Sequence, residues 1–119
     1  MFTIEVRQEP VIDGVVVRLR GEADVDSGER LEAALDPVAA GRPFAVVFDL
    51  SELEFINSMA LGALVRLHGA LKKHGGRVFA GGAGSNVAKV MEKTRMHAVF
   101  TVCGTVGEAM DAAESAAMS

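Results

Sequence analysis

Apolar and polar positions along the chain alternate between two periods, and the changes of period mark its elements. Residues 3 to 7 and 15 to 20 read as strands. In the second, VVVRLR, Val15, Val17 and Leu19 fall on one face and Val16, Arg18 and Arg20 on the other, so the second face is partly wet. Asp13-Gly14 between them is a strong turn signal and predicts an antiparallel hairpin. In EADVDSGE, Asp26 and Glu29 have the spacing of a capping box, which predicts a helix from there. Leu31, Leu35 and Val38 carry its apolar stripe, and Gly41-Arg42-Pro43 ends it.

FAVVF at 44 to 48 is apolar at every position, the pattern of a central strand covered on both faces. A second helix follows over about 58 to 74, with Leu61, Leu64, Val65, Leu67 and Leu71 on its apolar side. Lys72, Lys73 and His74 complement its carbonyl end, and Gly75-Gly76 stops it. RVFAGG at 77 to 82 predicts a fourth strand, GSNVAKVMEKT a short third helix with Val87, Val90 and Met91 inward, and AVFTV a last strand. Thr105 and Glu108 repeat the capping-box spacing before a terminal helix that carries Val106, Ala109, Met110 and Ala113 on one side. Strands separated by helical crossovers imply an α/β fold. It has a mainly parallel central sheet of about five strands, an N-terminal antiparallel hairpin and about four helices, all in one domain over 1–119.

Composition narrows the function classes. With 119 residues, half of them hydrophobic, the chain has ample material for one core. Its 12 basic and 16 acidic residues give a net charge of -4, which offers no general attraction to nucleic acid or to an anionic membrane surface. A single cysteine, Cys103, excludes an internal disulfide framework. No apolar run approaches the roughly 20 residues of a membrane span, and none has the form of a signal peptide. A cytoplasmic protein is the expectation.

Candidate chemistry is sparse. AGGAGSN at 80 to 86 lies where a phosphate-binding loop would lie, but it lacks the lysine and hydroxyl ending of a P-loop and the third glycine of a dinucleotide fingerprint. A plain turn is the better reading. His68, His74 and His97 are scattered without ligand spacing, so no metal site is expected. Cys103 reads as an inert thiol, and Asp24 and Asp26 as turn and cap residues rather than paired catalytic carboxylates. No cofactor and no enzymatic activity are expected. One feature stands apart: Asn57 and Ser58 are small polar residues at the mouth of an otherwise apolar helix. Either of them suits a helix cap.

LRGEADVDSGERL, FDLSELEFINSMALGAL, KKHGGRV and MHAVFTVCGTVGEAMDA, in that order and over about residues 3 to 117, resemble the STAS domain of bacterial anti-sigma factor antagonists. The resemblance implies a STAS-like domain that binds a serine-kinase anti-sigma factor and so controls the availability of a sigma factor. In that family a serine at the start of the second helix, within a pattern like Asp-Ser-Ser-Gly-Leu-Gly, is phosphorylated by the anti-sigma factor. The matching stretch is Asn57-Ser58-Met59-Ala60-Leu61-Gly62. Ser58 takes the phosphoacceptor position, while Asn57, Met59 and Ala60 depart from the pattern.

By that resemblance the partner surface comprises Glu22, Asp24, Asp26 and Ser27 with Asn57, Ser58, Met59 and Ala60. For Leu61, core packing is the stronger reading. The altered motif also fits a STAS-type subunit of another complex, such as a signalling scaffold or a lipid-transport ATPase, without phosphorylation. An enzyme or nucleotide-binding protein, resting on the glycine loop, is a third and weaker option.

Overall fold

A computed structural model describes residues 1–118. Strands β1 (Thr3–Glu9) and β2 (Gly14–Ala23) form the hairpin, in antiparallel register from Thr3 opposite Arg20 to Glu9 opposite Gly14. Both strands outrun the expected 3–7 and 15–20. They are joined through a 3-10 turn, Pro10–Ile12, closed by the Asp13 N–H donating to the Pro10 carbonyl at 3.0 Å.

Helix α1 (Ser27–Ala40) buries Leu31, Leu35 and Val38 as its stripe predicts. The expected capping box at Asp26 and Glu29 does not form: Asp26 has helical backbone angles, and its side chain accepts no helix N–H. The neighbouring polar groups close the preceding turn instead. Ser27 Oγ accepts the Asp24 N–H at 3.1 Å, and the Asp24 carboxylate accepts the Asp26 N–H at 3.2 Å.

Strand β3 (Ala45–Ile56) continues eight residues past the apolar run that announced it. Its first six residues are buried on both faces. Beyond them only Leu53 and Ile56 are buried, three residues apart instead of two, where register shifts between Arg18 and Arg20 and between Gly21 and Glu22 on β2 displace the pairing. Then come α2 (Ser58–Lys72), β4 (Arg77–Gly81), α3 (Ser85–Lys93), β5 (Thr101–Cys103) and α4 (Val106–Ala117). The last strand lies three residues later than expected from AVFTV, since Met96–Ala98 forms a 3-10 turn that sends Met96 and Phe100 inward. The capping box before α4 does form. Thr105 Oγ1 accepts the Glu108 N–H, and a Glu108 carboxylate oxygen accepts the Thr105 N–H, both at 3.0 Å.

The sheet order is β1-β2-β3-β4-β5, antiparallel in the first pair and parallel thereafter. On one face, α1, α2 and α3 pack over Val17, Leu19, Val46, Phe48, Leu50, Val78 and Ala80. On the other, α4 sets Ala109 and Ala113 against Val16, Val47 and Phe79. Pairing to β1 stops at Arg20 and pairing to β4 stops at Asp49, so residues 21–23 and 53–56 continue as a two-stranded ribbon. That ribbon delivers the chain to the start of α2.

Candidate functional site at the start of helix α2

Backbone pairing brings the two sequence segments singled out above into one surface. Glu22 lies opposite Phe55, Ala23 opposite Ile56, and the Asn57 N–H donates to the Ala23 carbonyl at 2.9 Å. The start of α1 then touches the start of α2. A Cβ on Gly28 would sit 3.3 Å from Met59 Cβ and 3.8 Å from the Ala60 nitrogen, so a glycine lets the helices approach this closely.

Asn57 has an extended backbone, and its side-chain oxygen accepts the Ala60 N–H at 2.9 Å. It is the helix cap. Ser58 is the first helical residue; its side chain is exposed and makes no hydrogen bond to any described residue. Glu22, Asp24, Asp26 and Met59 also face solvent. Two of the expected contact residues do not: Ser27 and Ala60 are buried, one closing the turn before α1 and the other packed under the first turn of α2. Asn57 is half-buried at its cap.

Two further residues join the surface that sequence reasoning passed over. Val25 is 73% exposed and Phe55 44% exposed, against 57% for Met59. These apolar side chains stand open to solvent on segments rich in acidic residues. Val25 stands alone between two aspartates in the sequence, and this was its only signal. Phe55 was hidden by the irregular pairing of β3.

The outer face of the sheet beside this surface carries an ion network. The Arg18 guanidinium lies 3.3 Å from Asp49, and Arg20 grips both carboxylate oxygens of Glu52 at 3.0 and 3.1 Å. Burial alone would push the Asp49 carboxyl up, but the Ser51 hydroxyl and N–H at 2.6 and 3.0 Å, with Arg18, hold it below the usual carboxylate range. All of its neighbours favour a fixed charge, which suits a structural carboxylate and not a proton-transfer group.

The other candidates resolve as structure. A Cβ on Gly81 would fall 2.3 Å from the Thr105 carbonyl, so the glycine-rich loop owes its composition to the crossing of β4 with the approach to α4. Burial, reinforced by Glu108, pushes the Cys103 thiol up, away from the reactive thiolate. Among the described residues no group of three or more His, Cys, Asp or Glu side chains could hold a metal ion. No described helix is long and apolar enough to cross a membrane.

A sheet opened by an antiparallel hairpin and continued by parallel strands, with helices on both faces, defines an α/β domain, and an exposed serine heads the helix that follows its central strand. The STAS domain family profile matches residues 3–109, and the chain belongs to that family. It is similar to an anti-sigma factor antagonist from Mycobacterium paratuberculosis, at 28% identity and a TM-score of 0.85, over 95% of this chain and 94% of that one. Two more distant structures share the fold. SpoIIAA of Bacillus in its unphosphorylated form is 22% identical with a TM-score of 0.78 over 97% of each chain. An anti-sigma-factor antagonist (STAS) domain protein from Planctomyces limnophilus is 23% identical with a TM-score of 0.76, over 95% of this chain and 98% of that one.

Proposed function

We propose that this chain is an anti-sigma factor antagonist that acts by binding, with a serine-kinase anti-sigma factor as its partner and Ser58 as its phosphorylation switch. The observation that carries the reading is the exposed Ser58 at the first position of α2, on segments that also expose Val25, Phe55 and Met59 and the carboxylates of Glu22, Asp24 and Asp26. Apolar centres give an interface its affinity and charged rims its specificity, so the partner patch is apolar with a cationic border.

Phosphorylation would place roughly 1.5 to 2 negative charges beside Met59, and docking would then have to strip water from them. The helix itself tolerates the group, because a helix N-terminus carries partial positive charge and unpaired N–H donors. Binding is thus lost while the fold is kept. The occurrence of SpoIIAA, a protein of the same fold, in unphosphorylated and phosphorylated forms is in keeping with such a switch.

The test is intact-mass spectrometry after incubation with ATP and each candidate anti-sigma kinase of the host, with Ser58→Ala and Ser58→Asp compared in a binding assay. One added phosphate on the parent, none on Ser58→Ala, and weakened binding by Ser58→Asp are expected. If no kinase modifies the protein and both variants bind their partner like the parent, the switch is refuted and a STAS-type subunit of another assembly is the better description.

A further inference from the structure

Strand β1 is an edge of the sheet, hydrogen-bonded to β2 on one side only. Edge strands invite pairing with another chain unless they are short, charged, bulged, interrupted by proline or covered. Thr3–Glu9 has no bulge or proline and runs in unbroken register with β2, and its charges, Glu5, Arg7 and Glu9, are of both signs, so they discourage some pairings and favour others. Ile4, Val6 and Gln8 face the helical side, where Ile4 packs on the core and Val6 and Gln8 line a cleft of about 280 Å³ with Val15, Pro37, Val38 and Pro43. Val6, 45% exposed, carries the apolar floor of that cleft out to the free edge. Thr3, Glu5, Arg7 and Glu9 alternate with these residues and so face the other side.

We propose that this edge is an interface with a second copy of the chain, the two β1 strands pairing antiparallel about a two-fold axis at Val6. The argument is one of register. A two-fold axis perpendicular to a sheet sets residues of the same face opposite each other, so the axis must pass midway between the two copies of one residue. Centred on Val6, Glu5 of each copy meets Arg7 of the other, Thr3 meets Glu9, Ile4 meets Gln8, and Val6 meets itself. Every residue of β1 is then used, and both cross-strand charge pairs are of opposite sign.

The neighbouring registers fail by the same rule. Centring on Glu5 sets that carboxylate against its own copy; centring on Arg7 sets the guanidinium against its copy and Glu5 against Glu9. Like charges directly opposite each other destabilise a strand pair. Within the chain Glu5 lies 3.7 Å from Arg20 and Arg7 lies 3.3 Å from Glu9, both exposed pairs of the kind that contribute little and are free to re-pair. In the Val6-centred register the two apolar clefts become continuous across the axis, which covers the open Val6. Because the axis reverses strand direction, the Ser58 surfaces of the two copies point to opposite ends, and both remain accessible.

Light scattering on the parent protein over a concentration series tests the proposal, with Glu5→Arg, Arg7→Glu and the double swap as variants. The parent is expected to rise from 12.5 kDa toward twice that mass. Glu5→Arg alone sets arginines opposite each other, and Arg7→Glu alone sets glutamates opposite each other, so each stays monomeric. An equimolar mixture of the two restores complementarity and dimerises, as does the double swap, which also controls for any damage to folding by the single variants. A parent that stays at 12.5 kDa throughout would overturn the proposal and leave the edge to an extended segment of another protein. Single variants that associate as the parent does would also overturn it.

Discussion

The Asn57 side-chain oxygen accepts the Ala60 N–H at 2.9 Å, while Ser58, next in the chain, leaves its hydroxyl in solvent. Capping the helix thus falls to Asn57 and leaves the Ser58 hydroxyl free for the switch proposed above. Asn57→Ala is therefore expected to cost about 1 kcal/mol of stability, or about 4 °C in melting temperature, and Ser58→Ala less than about 0.5 kcal/mol. Thermal unfolding of the two variants decides the matter; equal losses would move the cap to Ser58.

Met59 and Leu61 are two residues apart and face opposite ways. Leu61 is buried in the main core, while Met59 is largely exposed. Leu61→Ala should lose about 2–5 kcal/mol in urea unfolding, as deletion of a buried leucine side chain does. Met59→Ala should unfold within about 0.5 kcal/mol of the parent and yet, on the function proposed above, weaken capture of an anti-sigma factor. A Met59→Ala protein that binds as well as the parent would remove Met59 from the docking surface.

Asp49 gives the fold a signature in acid. Although burial alone raises its pKa, Ser51 and Arg18 bring it below the value of an unfolded aspartate. A carboxyl depressed in the native state contributes stability that is complete above its unfolded pKa of about 3.9 and is lost as pH falls through the native value. Asp49→Asn should accordingly be less stable than the parent at pH 7, with the gap closing in strong acid. Paired urea titrations across that range would show it, and a gap that is constant with pH would contradict it.

His68 works over a milder range. Its Nδ1 accepts the Val78 N–H at 3.2 Å, which places the ring proton on Nε2. Burial first, then Lys72 and Arg77, hold its pKa below the usual histidine value. The unfolded chain therefore takes up a second ring proton, at Nδ1, more readily than the native one, so the contribution of His68 is complete above about pH 6.5 and declines as pH falls from there toward the native value. His68→Gln should flatten that part of the stability profile. An imidazole that titrates at or above the ordinary value by NMR would sink this assignment.

Much of this architecture is legible in the chain because each signal is local. FAVVF marks the central strand, the 3.6-residue stripe of α1 marks its buried face, and Thr105 with Glu108 caps α4 as spacing alone suggests. The failures share a physical cause: long-range pairing overrides local pattern. Asp26 and Glu29 have capping-box spacing, but Asp24 and Ser27 satisfy the turn first. The far half of β3 is polar and irregular in sequence, and only its pairing with β2 keeps it extended. Around the candidate site, the place of Asn57 and Ser58 at the mouth of α2 is legible in the chain. The burial of Ser27 and Ala60, and the exposure of Phe55, depend on how α1 meets α2 and on two register shifts that no periodicity records.

The two-stranded ribbon at the end of the sheet divides its residues sharply between two duties. Leu53 and Ile56 are held in the core beneath it, whereas Glu54 and Phe55 are exposed. A change on the exposed side alters what the surface can recognise at little cost in stability, and a change beneath it does the reverse. On the function proposed above, such a surface can diverge without endangering the scaffold, so the choice of partner can change while the fold stays as it is.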